Sequence, residues 1–141
     1  MKLNLSILMF VILAAFSSCS RGYEPIDYGK EACAHCKMTI VDDRFAAELV
    51  DAKGRVFKFD DVACMKQFIS EQNKQGDNLL YVEDFLKKDA GVIDAGSAVY
   101  LRHEFFASPM NGNYAAFKTI ADAQRLKDSL GINTMKWEEL K

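Results

Sequence analysis

Phe59-Asp60-Asp61-Val62-Ala63-Cys64-Met65-Lys66-Gln67-Phe68-Ile69 decides how the chain folds. Val62, Met65, Phe68 and Ile69 recur at helical spacing and give one apolar face, and Asp60 ahead of them is placed to cap the first turn, with Asp61 beside it in the same role. Upstream, residues 56–59 alternate as a short strand. Residues 45–51 form a second apolar, strand-like run, and Ala52-Lys53-Gly54-Arg55 between them has turn chemistry, so the pair reads as a hairpin. Downstream, residues 79–85 return as a strand, followed by a polar, glycine-containing connection over residues 87–97.

The same order recurs. Residues 99–106 read as a strand, 107–113 as a loop with Pro109 and Gly112, 114–117 as a strand, and Thr119 caps a helix running to Leu130. Laying Phe59 over Phe117 places Val62 on Ile120, Ala63 on Ala121, Met65 on Ala123 and Phe68 on Leu126, and the tail 82–85 then matches 137–140. A β-β-α-β unit is therefore expected twice, with halves at about residues 32–88 and 96–141. A half of that size buries little surface alone, so the fold class expected is α+β, with both halves packed as one small domain.

The chemistry concentrates in Cys33-Ala34-His35-Cys36-Lys37-Met38, although the whole chain has only four cysteines and two histidines. Thiolate and thioether sulfur favour Cu(I) over harder divalent ions. If residues 37–40 form a strand, Cys36 and Met38 point to one face. Residues 1–18 carry Lys2, an apolar run and small residues ahead of Cys19, the pattern of a cleaved signal peptide. Cys19 follows Ser17-Ser18 as the lipidated cysteine does in bacterial lipoproteins, and its acyl chains would anchor the chain to a membrane. Ser20, where aspartate would direct inner-membrane retention, favours a periplasm-facing position on the outer membrane. Residues 19–31 are then anchor and tether, and 32–141 the binding domain. With Cys19 acylated, Cys33, Cys36 and Cys64 are an odd number in an oxidising compartment, which argues for a site and against a disulfide scaffold. The net charge of −2, without a Lys/Arg stripe, excludes nucleic acid as a partner.

Cys36-Lys37-Met38-Thr39-Ile40, Asp43-Arg44-Phe45-Ala46-Ala47, residues 59–65 and Ser108-Pro109-Met110-Asn111-Gly112 together resemble the NosL family, the lipoprotein accessory factors of nitrous oxide reductase. The resemblance implies a Cu(I)-binding chaperone that serves the copper centres of that reductase or its copper-loading machinery. It also implies a fold similar to the non-catalytic scaffold of organomercury lyase. Carried onto this sequence, it nominates Cys36 and Met38 as copper ligands, with Met110 in its exposed loop as a third. Cys33, His35, His103 and Cys64 are further candidates, Cys33 either as ligand or as redox partner of Cys36, whereas Met65 belongs to the helix's packed face. Asn111 stands where the family commonly has glycine directly after methionine.

Two other functions fit part of the pattern. A thiol-disulfide oxidoreductase would use Cys33 and Cys36, but such a pair normally opens a helix, and here a strand-like run follows. A small zinc-binding domain would use Cys33, Cys36, Cys64 and a histidine, without the second paired motif such sites usually carry. Neither enzyme chemistry nor a catalytic residue is implied by the remaining sequence.

Overall fold

A computed structural model describes residues 21–74, 76–87 and 91–141; the predicted signal segment and Cys19 lie outside the described residues. Among the described residues eight regular elements follow in order: β1 (Ala47–Val50), β2 (Val56–Phe59), α1 (Val62–Glu71), β3 (Leu79–Glu83), β4 (Val92–Asp94), β5 (Val99–Arg102), β6 (Tyr114–Phe117) and α2 (Ile120–Leu130). Short 3-10 turns lie at Glu104–Phe106 and Trp137–Glu139. The molecule is α+β, with an antiparallel four-stranded sheet in the order β2-β1-β3-β4 and the antiparallel hairpin β5-β6.

Strand pleating assigns the faces of the larger sheet. Ala47 and Leu49 lie opposite Phe59 and Phe57 on one side and Val82 and Leu80 on the other. These residues form the core with Val62, Met65 and Phe68 of α1. The β5-β6 hairpin is buried from both sides. Tyr100, Tyr114 and Ala116 join that same core, while Leu101, Ala115 and Phe117 pack with Ala123 of α2 and with Phe45 and Phe106. The alternation is what lets two short strands hold both halves together.

The opposite face of the larger sheet carries Glu48, Lys58, Tyr81 and Glu83, and residues 21–31 lie across it. Tyr23 and Tyr28 each donate to Glu83 Oε1 at 3.0 Å, Tyr23 packs edge-on to Tyr81, and Lys58 donates to the carbonyl of Pro25. Glu48 is fully buried there, accepting from the Glu24 amide at 2.9 Å, and burial pushes its carboxyl up to about 7. Arg21 donates to Asp77, so the segment expected to be a tether runs along the domain from its first described residue.

Several expectations need revision. The connection after β3 contains a strand, β4, which pairs with β3 from Tyr81↔Asp94 to Glu83↔Val92. The expected strand at 99–106 ends at Arg102 and passes into a 3-10 turn capped by His103. The final strand of the second half is reduced to one bridge, Tyr100↔Met135, and residues 137–139 form a 3-10 turn where 82–85 had suggested a strand. Helix α2 is as expected, with Thr119 Oγ1 accepting from the Asp122 amide and Gly131 closing the C-terminus at φ 64°.

The cap of α1 also differs. Asp61 alone is the N-cap, its Oδ1 accepting from the Ala63 amide at 2.7 Å. Its other oxygen takes the hydroxyl of Ser108 and the Met110 amide, tying the 108–113 loop to the start of the helix. Gly112 fits against this cap: a Cβ there would lie 2.6 Å from the Ala63 Cβ and 2.8 Å from Asp61 Oδ1. Gly112→Ala is therefore expected to lower stability by about 1–3 kcal/mol through overpacking, read as a lower midpoint in denaturant unfolding. An unchanged midpoint would show that the loop is not seated on the helix as described.

Candidate metal centre

Residues 29–40 form a hairpin-like excursion pinned to β2. Gly29 donates to the Ile40 carbonyl, Ile40 to that of Glu31, and Ala34 to that of Lys58 at 2.8 Å, with a bridge between Ala32 and Thr39. At its tip Lys37 donates to the Cys33 carbonyl and Cys33 to that of Met38. Lys37 has φ 68°, the left-handed conformation of a tight turn. Cys36 and Met38 therefore sit on a turn, and the expected strand starting at residue 37, with both side chains on one pleated face, is corrected: one left-handed residue between them breaks the alternation.

This turn faces the start of α1. The sulfurs of Cys33, Cys36 and Cys64 and a carboxylate oxygen of Asp60 all lie within 4.8 Å of one another. Cys33, Cys64 and Asp60 are each 1% exposed, whereas Cys36 is partly exposed. The Cys36 thiol donates to Asp60 Oδ2 at 3.4 Å. Asp60 Oδ1 and Glu48 Oε2 are the buried side-chain oxygens without a hydrogen-bond partner among the described residues.

The electrostatics divide the three thiols. Cys33 is pulled below the ordinary thiol range, first by the Cys64 thiol donating to it and then by the amides of Asp60 and Cys36, which outweigh its burial. Cys64 is pushed strongly upward by that same contact and by burial. Burial pushes Cys36 up to about 11, with the neighbouring Cys33 and Asp60 charges adding to the effect, although the Met38 amide donates to its sulfur.

The NosL family model matches residues 26–141. The chain belongs to the NosL family. No curated protein matches it. Among solved structures, the copper chaperone NosL from Shewanella denitrificans is similar in fold, with a TM-score of 0.73, 19% identity, and coverage of 86% of this chain and 97% of that one.

Against the NosL-family motifs, the nominated residues fall into two groups. Cys33, Cys36 and Cys64 come together, and Met65 is fully buried in the core. Met38 and Met110 are 49% and 39% exposed, each joined by its backbone to the centre: Met38 through its amide on the Cys36 sulfur, Met110 through Asp61. The two histidines have other partners. His35 Nδ1 lies 3.4 Å from Glu71 Oε2, and His103 Nδ1 accepts the Phe105 amide. Asp60 is the residue that sequence reasoning missed, having been paired with Asp61 as a cap. The signal was present: an extended backbone sends neighbouring side chains to opposite sides, so two adjacent aspartates cannot both face the helix end.

Only the thiolate attacks alkylating reagents. Alkylation of Cys36 should thus be slow at pH 7 and rise about tenfold per pH unit towards its raised pKa. Cys33→Ser, which removes a neighbouring negative charge, should speed the reaction at fixed pH. Mass-spectrometric rate measurements across pH test this; a rate already at its plateau near pH 8 would contradict the assignment.

Proposed function

We propose that this chain is a Cu(I)-binding lipoprotein that delivers copper for assembly of the nitrous oxide reductase metal centres, and that it works by binding and handover, without catalysis. The observation that carries the reading is that Cys36, of the three converging thiols the one that reaches the surface, lies on one turn with the exposed Met38 in a NosL-family chain, with the exposed Met110 tied to the adjoining helix start through Asp61. Cys36 would be the anionic ligand, with Met38 and Met110 as exposed thioether donors. A fold neighbour being a copper chaperone agrees with this assignment.

The donor set suits the task. Soft sulfur ligands hold Cu(I) at low coordination number, so an incoming donor on the acceptor can replace one outgoing donor at a time without release of free ion. Exposed thioethers are neutral and exchange readily, while a partly buried thiolate keeps the ion until the acceptor has engaged. Binding must remove the Cys36 proton, which burial holds on, so affinity for Cu(I) should fall as pH drops.

The geometry weighs against the oxidoreductase reading. Such enzymes expose a low-pKa nucleophilic thiol, whereas here the depressed thiol, Cys33, is buried and the accessible one, Cys36, is held protonated. A zinc site completed by histidine is likewise disfavoured, because His35 and His103 are engaged elsewhere.

Cys36→Ser should weaken Cu(I) binding by at least about a hundredfold, roughly 3 kcal/mol, in competition with a Cu(I) chelator. Retention of wild-type affinity would overturn the assignment. The lipid anchor is a separate part of the proposal: with residues 1–18 removed as a signal peptide and Cys19 acylated, the domain would face the periplasm, on the outer membrane. Cys19→Ser should then shift the protein into the soluble fraction with Cu(I) affinity unchanged. An undiminished membrane fraction would place the anchoring elsewhere.

A further inference from the structure

The copper reading uses Cys36 and two exposed methionines, and leaves Cys33, Cys64 and the unpartnered oxygen of Asp60 without a task. Cys33 and Cys64 are buried at one point and Asp60 is buried beside them. A buried carboxylate oxygen lacking a partner is left with its desolvation cost uncompensated, and so marks a position where something should meet it.

We propose that Cys33, Cys36, Cys64 and Asp60 form a four-donor site for a tetrahedral divalent d10 ion, Zn(II), which shares Cys36 with the Cu(I) ligands and so excludes copper while it is bound. The proposal rests on the copper reading only for that last clause.

Four observations support it. Donors 2.3 Å from a tetrahedral ion lie about 3.8 Å apart, so a set already within 4.8 Å needs contraction of an ångström or less. Three sulfurs and one oxygen match the borderline-soft preference of Zn(II), whereas Cu(I) has no use for the carboxylate. The amides of Asp60 and Cys36 donate to the Cys33 sulfur and that of Met38 to the Cys36 sulfur, which spreads the negative charge that ligation concentrates. Finally, the donors come from two rigid elements: the 33–38 turn, pinned to β2, and the strand-to-helix junction that carries Asp60 and Cys64. Asp60 thereby supplies the fourth donor that neither histidine provides.

Such a site has a consequence for handover. Three thiols in an oxidising compartment are prone to disulfide formation, and ligated thiolates are less open to oxidation. A zinc form would keep Cys36 reduced until copper arrives. Soft sulfur favours Cu(I) over Zn(II), and Cys36 is common to both donor sets, so copper that takes Cys36 removes one of the four zinc donors and releases the zinc.

The test uses the reduced purified protein with Zn(II) and with Cd(II) as a spectroscopic probe. One equivalent of Cd(II) should give a thiolate-to-metal charge-transfer band and a cadmium NMR shift diagnostic of three sulfurs and one oxygen. Zn(II) should bind with the same stoichiometry against a chelator and leave on addition of Cu(I). Cys64→Ser should reduce the sulfur count to two. Asp60→Asn should weaken Zn(II) by about tenfold or more without weakening Cu(I), since losing the Asp60 charge only eases removal of the Cys36 proton, and Met38→Leu should weaken Cu(I) with Zn(II) affinity kept. The cadmium shift of the wild type reads the donor set without any variant, so a variant that fails to fold does not block the test. A wild-type spectrum with two sulfurs or fewer, or Zn(II) affinity unmoved in folded Asp60→Asn, overturns the proposal. A wild-type protein that binds Zn(II) but no Cu(I) would instead overturn the copper reading.

Discussion

The buried carboxylate of Asp61 is the constraint on which the arrangement depends. It is fully buried and takes three donors: the Ala63 amide of its own helix, and the Ser108 hydroxyl and Met110 amide from the second half of the chain. A buried charge is tolerated only when it is hydrogen-bonded on all sides, so the loop has to close against the helix for the helix to be capped. One residue thus fixes the start of α1, and with it Cys64, at the same time as it fixes the backbone of Met110. Asn111 and Asn113, both at φ 56°, turn the loop so that Gly112 passes over Ala63, and the Ser108 hydroxyl in turn accepts the Asn113 amide.

Asp60 works from the other side of the same backbone. While Asp61 faces the helix and the loop, Asp60 faces the thiols, and the two together place a capped helix start beside a cysteine-bearing turn. The result is a graded centre. Its interior has two thiols hidden from solvent, of which Cys33 is supported by amide donors; its surface has one partly exposed thiol with exposed methionines attached through the backbone.

The N-terminal segment adds a third layer to the sheet. Glu48 and Glu83 are buried beneath residues 21–31, with Tyr23 and Tyr28 donating to Glu83 and Lys87 paired with it at 2.7 Å. The position of the 29–40 hairpin, and so of Cys33 and Cys36, follows from this docking, because the segment leads directly into the hairpin and shares Lys58 with it through Pro25 and Glu31.

The sequence by itself determined the α+β class, the order of most elements, both amphipathic helices, the two ends of α2, and the concentration of soft donors around Cys36. Those features are local, since periodicity, turn residues and caps are properties of neighbouring positions. β5, β6 and α2 were also legible locally, but the expected pair of β-β-α-β halves is not completed: its last strand shrinks to a bridge at Met135 because pairing length depends on what the partner edge leaves open, not on local apolarity. β4 escaped notice for the same reason: three residues become a strand only when β3 offers its edge. Which donors converge was likewise a matter for the tertiary structure. Local spacing suggested that Cys36 and Met38 shared a strand face and left the histidines open, whereas the packed chain turns at Lys37, brings Cys64 up from the helix, and swings Asp60 away from the cap into the thiols. Convergence of residues from a turn, a strand end and a helix is set by packing between elements distant in the chain, and no spacing along the sequence encodes it.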